Sequence, residues 1–241
     1  MERSKRIVIG DDDRVFVLTG AGVSAESGLA TFRGADGLWE GHRVEDVASP
    51  EAWERDPEQV WRFYSMRRKA AAAANPNAAH LALAELERKL GQRYFLCTQN
   101  VDDLHERAGS RNLVHMHGEL FSSRCDRCER AAFADTRLYE SKAEHARCEC
   151  GGRIRPNIVW FGEVPFHMER IFAELHRCTV MLVVGTSGMV QPAASFVHMA
   201  NERYGARTYY IGPEHPANAT AFTHTFLGKA GEVLPHLFTL D

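Results

Sequence analysis

Four of the six cysteines in this 241-residue chain stand in two close pairs, Cys125 with Cys128 and Cys148 with Cys150. Paired thiolates at such spacing suit a tetrahedral Zn²⁺ site, and four thiolates leave no open position for a substrate. We therefore expect one structural zinc ion per chain. Reduced free thiols and a zinc ribbon that binds nucleic acid are the alternatives. Cys97 and Cys178 stand alone beside apolar runs, so they are interpreted as small core residues.

A second chemical signal is the glycine-rich stretch "VFVLTGAGVSAESG" at residues 15–28. Residues 20–25 satisfy the pattern G-x-G-x-x-G/A, in which glycines allow a tight turn and a close approach to a pyrophosphate. A hydride-transfer unit also needs a helix, a second strand and an acidic residue about 20 positions on. Glu45 and Asp46 lie near that distance, but no β-rich run carries them. The loop predicts dinucleotide binding, and the redox unit around it is missing.

The elements that would position these residues alternate between strands and helices. Short apolar runs at 15–19, 94–98, 113–118, 157–161, 179–187 and 208–212 suit parallel strands buried on both faces. Residues 77–91 and 193–205 read as amphipathic helices that end at glycine. This alternation predicts an α/β fold with a Rossmann-like, doubly wound parallel sheet.

Two segments do not fit the alternation. Residues 36–78 contain tryptophans, charges and an alanine run, and residues 121–156 contain the paired cysteines. We interpret both as insertions that form one smaller domain, with a helical part and a zinc-binding part. The Rossmann-like domain would then consist of residues 1–35, 79–120 and 157–241.

Bulk composition narrows the functional classes. The net charge of −3 gives no reason to expect a nucleic-acid-binding surface. The N-terminus "MERSKRIVIGDDDR" lacks the apolar core of a secretory signal, and no apolar run reaches the roughly 18 residues that span a membrane. A cytoplasmic location is the expectation, and the oligomeric state is left open.

Five stretches together indicate a family. They are "GAGVSAESGLATFRG" (20–34), "TQNVDDLHERAGS" (98–110), "HGEL" (117–120), "NIVWFGE" (157–163) and "GTSGMVQPAA" (185–194). In this order they resemble the sirtuins, which are NAD-dependent protein lysine deacylases, over residues 13–237. The likeness is nearest to bacterial class III members of the desuccinylase type.

The resemblance implies that NAD is a co-substrate, not a hydride carrier. Nicotinamide leaves the ribose, the acyl group passes to the ribose, and free lysine and O-acyl-ADP-ribose are released. His117 matches the family's general base, and an imidazole titrates near neutrality, as that role requires. Asn100 is the second residue that we assign to catalysis, whereas His115 is interpreted as structural.

The resemblance also implies the cofactor contacts. Gln99, Asn100, Val101 and Asp102 match the nicotinamide and ribose site, and Phe32 would shield the reactive ribose from water. The remaining predicted NAD contacts are Gly20, Ala21, Gly22, Ala25, Glu26, Thr31, Arg33, Trp39, Gly185, Thr186, Ser187, Glu214 and Ala230. One position departs from the family, because Gly212 stands where an asparagine often contacts the adenosine.

Residues 61–69, "WRFYSMRRK", indicate which acyl group on lysine the protein is expected to bind. On a helix, Tyr64 and Arg67 share a face, where a phenol and a guanidinium can bind one carboxylate. A Tyr-x-x-Arg pair at this place in the family binds succinyl-, malonyl- or glutaryl-lysine. Val44 and Ala48 match small residues of the same pocket, and acetyl-lysine should also fit. An ordinary solvated basic face is the alternative.

Acyl-lysine proteins are the partners that the resemblance implies. Val159, Phe161 and Gly162 match one edge of the family's peptide clamp, and residues 188–190 match the other, where main-chain pairing gives affinity with little sequence preference. Other functions stay open at this point. They are a plain deacetylase, a non-catalytic NAD or ADP-ribose sensor, an ADP-ribosyl transferase and, least favoured, a dehydrogenase.

Overall fold

The structure, a computed structural model, describes residues 6–31 and 41–241 and the backbone of residues 38–39. In chain order the strands are β1 (Ile7–Ile9), β2 (Val15–Thr19), β3 (Leu38–Trp39), β4 (His42–Arg43), β5 (Tyr94–Thr98), β6 (Leu113–His115), β7 (Gly118–Cys125), β8 (Phe133–Ala134), β9 (Ile154–Ile158), β10 (Val180–Val184), β11 (Arg207–Gly212), β12 (His224–Leu227) and β13 (Phe238–Leu240). The α-helices are α1 (Val44–Val47), α2 (Pro50–Arg55), α3 (Pro57–Ala73), α4 (Ala78–Leu90), α5 (Leu104–Ala108), α6 (Met168–Arg177), α7 (Ala193–His198) and α8 (Ala230–Val233).

A parallel sheet forms the centre of the fold, with the strand order β12-β11-β10-β2-β5-β6. Strands β2, β5, β10 and β11 are buried on both faces, which explains why they read as continuous apolar runs. Val15, Val17 and Leu96 face α4 and the C-terminal elements, whereas Phe16 and Phe95 face the side that α6 and α7 cover. The prediction of a doubly wound parallel sheet is confirmed.

The helices begin and end where the local chemistry predicts. Asn77 caps α4, because its side chain accepts a hydrogen bond from the Ala79 N–H and His80 completes a capping box. Gly91 ends that helix with a positive φ. Asp56 caps α3 through the Gln59 N–H, and this helix carries Tyr64 and Arg67. Helix α7 continues into a π-helical turn at Met199–Arg203.

The run at 157–161 is the exception among the predicted strands. Only Asn157 and Ile158 of that run lie in a strand, and their strand β9 pairs antiparallel with β7 in a separate sheet of order β8-β7-β9. The prediction of a parallel strand there is wrong, because β9 pairs with β7, which runs antiparallel to it in this second sheet. Small sheets also join β1 to β13 and β3 to β4.

A third apolar cluster packs α1, α2 and α3 against β7, β9 and the cysteine pairs. It includes Tyr64, Val101 and Trp160, so it reaches from the helical segment to the edge of the central sheet. The division into a Rossmann-like domain and a smaller inserted domain stays a prediction, which this cluster supports. Within the described part of the chain, no helix is long and apolar enough to cross a bilayer.

Candidate active site

The predicted cofactor residues on the loops after β2, β5 and β10 lie at one edge of the central sheet. Strand β2 lies between β5 and β10, where the strand order reverses, and ligands of doubly wound sheets bind beyond the carboxyl ends of the strands at such a point. The loops after these strands are hydrogen-bonded to one another. The Gly20 N–H donates to the Val184 carbonyl at 3.0 Å, and the Gln99 N–H donates to the Thr19 carbonyl at 2.9 Å.

The two loop glycines are required by this close approach. A Cβ at Gly20 would lie 2.9 Å from the Gly185 carbonyl oxygen, and one at Gly22 would lie 2.8 Å from the Gly185 Cα. The Gly22 N–H donates to that same carbonyl at 2.8 Å. Two 3₁₀ turns follow, at Ala21–Val23 and Ala25–Ser27, so no regular helix begins at the loop. The glycines therefore lock the first loop onto the loop that contains Gly185, Thr186 and Ser187.

Ser24 lies at the centre of a buried polar cluster. Its Oγ donates to Asp102 Oδ2 at 3.1 Å and accepts from Asn100 Nδ2 at 3.0 Å. His80 Nδ1 accepts from the Asn77 N–H, so Nε2 of the neutral ring carries the proton and donates to Ser24 Oγ at 3.4 Å. All hydrogen-bonding positions of the Ser24 hydroxyl are thus used. The cluster fixes Asn100 and Asp102 relative to the glycine loop.

Burial keeps His80 and His105 neutral. Desolvation lowers the pKa of His80 to about 4. The pKa of His105 lies well below its usual value because of burial and because His80 and His115 are close. Since the Thr19 hydroxyl donates to Thr98, it accepts from His105 Nε2 at 3.0 Å. Both rings therefore act as uncharged packing and hydrogen-bonding groups beneath the site.

Asp102 is a buried carboxylate held by two donors. Besides the Ser24 hydroxyl, the Leu104 N–H donates to Oδ1 at 3.2 Å. Burial raises the pKa of Asp102, while these hydrogen bonds and the charges of His115 and Arg67 oppose that rise. The charge of Arg67 therefore links the predicted acyl pocket electrostatically to the predicted ribose site.

His117 follows β6 with one ring nitrogen occupied. Its Nδ1 lies 3.1 Å from the Gln99 carbonyl, to which it donates, so Nε2 is the basic atom. Burial lowers the pKa of His117, which keeps the ring neutral at pH 7. Gly118 has a φ of 87°, and a Cβ there would lie 2.0 Å from the Asn157 carbonyl oxygen. Glycine is thus required where the chain turns from His117 into β7.

The departure at Gly212 has a steric explanation. A Cβ at this position would lie 2.3 Å from the hydroxyl oxygen of Tyr210. That hydroxyl donates to the Thr186 carbonyl at 3.3 Å, within the predicted cofactor loop. The Tyr210 phenol therefore occupies the space that a side chain at residue 212 would need. Nearby, Glu26 accepts from the Gly231 N–H at 2.9 Å and fixes the turn that begins α8 at Ala230, while Glu214 follows β11.

Val44, Ala48 and Tyr64 of the predicted acyl pocket lie in the third apolar cluster. Tyr64 is fully buried, and its hydroxyl accepts a hydrogen bond from Trp160 Nε1 at 3.1 Å. Burial raises the pKa of Tyr64 well above its ordinary value, so the phenol stays protonated. Val44 and Ala48 are buried in the same cluster, and Arg67 contributes to the potential at Tyr64. The predicted pocket would thus combine a phenol donor and a guanidinium with apolar walls.

Trp160 is held in place by charged neighbours. The Arg155 guanidinium lies over its ring at 3.3 Å, and the Trp160 N–H donates to Glu163 Oε2 at 2.8 Å. Arg155 also donates to both oxygens of Glu163, at 2.7 and 2.9 Å. Burial raises the pKa of Glu163, but the hydrogen bonds and charges of its arginine partners outweigh this and lower it. Tyr64 is consequently oriented by a network that sequence analysis did not identify.

The predicted peptide edge begins next to His117. The Val159 N–H donates to the His117 carbonyl at 2.9 Å, and the Phe161 N–H donates to the Ala48 carbonyl at 3.1 Å. Phe161, Val164 and Met189 expose large apolar side chains, and Gly162 is exposed beside Phe161. The predicted base, the predicted acyl-pocket wall and the predicted docking edge are therefore linked by backbone hydrogen bonds.

The four paired cysteines come together as one cluster. The Sγ atoms of Cys125 and Cys150 are 3.5 Å apart, those of Cys128 and Cys148 are 3.7 Å apart, and all four lie within 4.8 Å. Tetrahedral Zn²⁺ with Zn–S bonds of about 2.3 Å places its sulfurs about 3.8 Å apart, so the set fits one zinc ion. The Cys128 backbone N–H is the main cause that lowers the pKa of Cys125 to about 7, which favours the thiolate.

The short second pair is accommodated by two glycines. The Gly151 N–H donates to the Cys148 carbonyl at 2.8 Å, and Gly151 has a φ of 82°. A Cβ at Gly152 would lie 2.6 Å from Cys125 Sγ. Cys97 and Cys178 are buried apolar-cluster residues, as predicted.

Three predicted NAD contacts lie wholly or partly outside the described residues. Phe32 and Arg33 lie outside the described residues, and Trp39 is described only as backbone of β3. Thr31 and Ala25 lie on the segment that follows the glycine loop.

Sequence analysis missed Ser24, His80, Trp160 and Glu163. Ser24 stood within a quoted motif, whereas His80 gave no signal beyond its place on an amphipathic helix.

Together, the loops that meet at the switch point, a histidine with an available basic nitrogen and a four-cysteine cluster are the arrangement predicted for a dinucleotide-dependent enzyme with a separate acyl pocket. Comparison with protein families matches the Sir2 family over residues 20–192. An NAD-dependent protein deacylase of Pasteurella multocida is 49% identical over 231 residues, which is 92% of this chain and 95% of that protein.

Solved structures agree. A Sir2 homologue in complex with NAD is 44% identical, with a TM-score of 0.85 over 94% of this chain and 89% of that one. A mutant Sir2 homologue in complex with 2′-O-acetyl-ADP-ribose is 44% identical, with a TM-score of 0.83 over 92% of this chain and 89% of that one. The chain belongs to the Sir2 family.

Proposed function

We propose that the protein is an NAD-dependent protein lysine deacylase that removes succinyl- or malonyl-type groups and acetyl groups from lysine. Its products are nicotinamide, free lysine and O-acyl-ADP-ribose, and its partners are acylated proteins. NAD supplies the ribose carbon that accepts the acyl group. Membership of the Sir2 family and the NAD and acetyl-ADP-ribose complexes of relatives support this reading.

The observation that carries the proposal is the orientation of His117. Its Nδ1 is hydrogen-bonded to Gln99, so Nε2 is available to take a proton from a ribose hydroxyl. Gln99 is also the first residue of the loop that contains Asn100 and Asp102, which the Ser24 cluster holds in place. A base fixed to the cofactor loop is not needed for a protein that only senses NAD.

The acidic-acyl preference rests on Tyr64 and Arg67. Because Trp160 donates to the Tyr64 oxygen, the phenolic proton is directed elsewhere and can meet a carboxylate in the pocket. A guanidinium beside it supplies charge and a second hydrogen bond. Acetyl-lysine would leave the end of the pocket unfilled. Because its acyl group carries no carboxylate, it would bring no unpaired charge into the pocket. The four-cysteine site would hold zinc for stability, with no open coordination position.

Paired peptides test the proposal. The protein is incubated with NAD and with matched acetyl- and succinyl-lysine peptides, and mass spectrometry follows the free-lysine peptide. Arg67→Met should reduce succinyl removal roughly thirtyfold or more, since it removes a charge-assisted contact of about 2–3 kcal/mol, and should leave acetyl removal nearly unchanged.

Arg62→Met is the matched control. Arg62 lies on the same helix but is exposed and paired with Glu58, so its loss should change neither activity. If both peptides lose activity equally in Arg67→Met, the acidic-acyl assignment is wrong. If neither peptide reacts with the unaltered protein, the deacylase assignment itself fails.

A further inference from the structure

Two histidines that are two residues apart lie in opposite environments. His117 has one hydrogen-bonded nitrogen and one that is available as a base. His115, at the end of β6, is buried with both ring nitrogens against oxygen atoms. Its Nδ1 lies 2.8 Å from the Asn100 carbonyl, and its Nε2 lies 2.7 Å from Glu106 Oε1.

These two contacts require a charged ring. A carbonyl and a carboxylate only accept, so both nitrogens of His115 must donate, and only the imidazolium has two N–H groups. A neutral ring would place a lone pair against one of the oxygens. Burial opposes the charge, but the hydrogen bond and charge of Glu106 outweigh it and raise the pKa of His115. The same pair lowers the pKa of Glu106 despite its burial.

The other charges around His115 come from several elements. Glu119 on β7 has a carboxylate oxygen within 4.8 Å of the atoms of His115 and Glu106 and favours the imidazolium. Asp102 also attracts it. On the opposing side, His105 on α5 and His167, next to α6, interact with the ring as potential like charges. Burial lowers the pKa of both rings and favours their neutral form. The acidic groups therefore dominate the electrostatic potential at His115.

Asn100 is the residue that His115 holds. Its N–H donates to Thr98 Oγ1 at 3.0 Å, its side-chain amide donates to Ser24, and its carbonyl accepts from His115. Loss of one proton from His115 forces a choice between the two acceptors. The carboxylate of Glu106 is the costlier group to leave unpaired, so the remaining proton stays on Nε2. The Asn100 carbonyl then faces a lone pair and loses its donor.

We propose that His115 is a positioning residue that holds the cofactor-site Asn100 through a protonated ring, and that Glu106 maintains this proton. The proposal rests on the proposed function, because Asn100 is taken there as part of the NAD site. The proposal predicts that activity has an acidic and an alkaline pH limit, each set by one histidine. Activity requires neutral His117 and charged His115, so it falls below the pKa of the first and above the pKa of the second.

The test is the pH profile of kcat/KM for NAD, measured with a saturating acyl peptide from pH 5.5 to pH 10. Glu106→Gln removes the anion and should move the alkaline midpoint down by about one to two pH units, with the acidic midpoint unchanged. Glu119→Gln is the matched control, because Glu119 is exposed and makes no direct hydrogen bond to the ring, so its shift should be much smaller. His115→Gln should lower kcat/KM for NAD about ten- to a hundredfold and remove the alkaline limb.

A second measurement is independent of turnover. The ring resonances of His115 and the amide nitrogen of Val101, whose peptide unit contains the Asn100 carbonyl, are followed by NMR as the pH is raised. Both should titrate together in the unaltered protein, and both midpoints should fall in Glu106→Gln.

An alkaline midpoint that does not move in folded Glu106→Gln overturns the proposal. A Val101 amide shift that does not change as His115 titrates also overturns it. So does activity that rises steadily to pH 10, which is the result expected if Glu106, His115 and Glu119 held a cation with a neutral ring. Absence of NAD-dependent deacylation at every pH would instead refute the proposed function, and the NMR titration would still decide the role of His115.

Discussion

Tyr64→Phe removes the hydroxyl that we expect to meet the substrate carboxylate and leaves the ring in place. In the unaltered protein the Tyr64 oxygen accepts from Trp160 Nε1 at 3.1 Å, and the phenolic proton is free to be donated. A hydrogen bond to a charged group contributes about 1.5–3 kcal/mol. Its loss should therefore lower kcat/KM for the succinyl peptide roughly ten- to a hundredfold. The acetyl peptide has no carboxylate, so its kcat/KM should change less than about threefold.

The same substitution also carries a cost in stability. Without the Tyr64 oxygen, the buried Trp160 indole N–H loses its acceptor, which costs about 1–3 kcal/mol. For a chain of this length, each kcal/mol lowers Tm by roughly 2–4 °C. Tyr139→Phe is the matched control, because Tyr139 lies in the same cluster and its hydroxyl donates to Asp135 at 2.8 Å. It should lose comparable stability without any change in acyl preference.

Steady-state kinetics on both peptides and thermal unfolding of both variants decide the matter. A Tyr64→Phe protein that loses acetyl and succinyl activity in the same proportion would refute the reasoning, because the hydroxyl would then serve the shape of the pocket and not a carboxylate. Unchanged succinyl activity would refute it equally.

The remaining predictions concern stability. Gly212→Asn should destabilise the protein by about 1–3 kcal/mol in urea titrations, since its Cβ would lie 2.3 Å from the Tyr210 hydroxyl, whereas Gly10→Ala, with only one contact at 3.8 Å, should be nearly neutral. His80 is buried and its pKa is lowered to about 4, so the folded protein favours the neutral ring. The free energy of unfolding should therefore be highest above pH 6.5 and should fall by about 3 kcal/mol as the pH falls towards 4. Urea unfolding should show this loss, and His80→Gln should remove it. Chelation should release one zinc ion per chain and lower Tm, and Cys128→Ser should prevent zinc binding while Cys178→Ser does not; equal zinc content in both variants would contradict the four-cysteine site.

The strands of the central sheet could be predicted because burial on both faces leaves a simple pattern. Residues 15–19 and 94–98 are strands with the predicted bounds. Residues 157–161 misled the prediction, because an apolar run does not reveal whether its partner strand is parallel or antiparallel. Strand β7 was not recognised, since "GELFSSRC" mixes buried polar and apolar residues.

The candidate site was predicted where residues form contiguous motifs and missed where they converge from distant segments. Residue spacing predicted the glycine loop and the cysteine cluster, and the family resemblance assigned roles to His117, Tyr64 and Arg67. It did not reveal that Ser24 links His80 to Asp102, since those bonds span 56 and 78 positions. Nor could it show that His115, two residues from the predicted base, is hydrogen-bonded to the Asn100 carbonyl. Only the fold brings Glu106 to the second nitrogen of that ring.

The most direct test of the central claim is the stoichiometry of the products. The protein is incubated with NAD and a succinyl-lysine peptide, and nicotinamide, free-lysine peptide and O-succinyl-ADP-ribose are quantified together. We predict equal amounts of all three and none with His117→Ala. Three results would contradict the account. They are free lysine formed without nicotinamide, nicotinamide accompanied by ADP-ribosylated peptide, and formation of reduced nicotinamide cofactor.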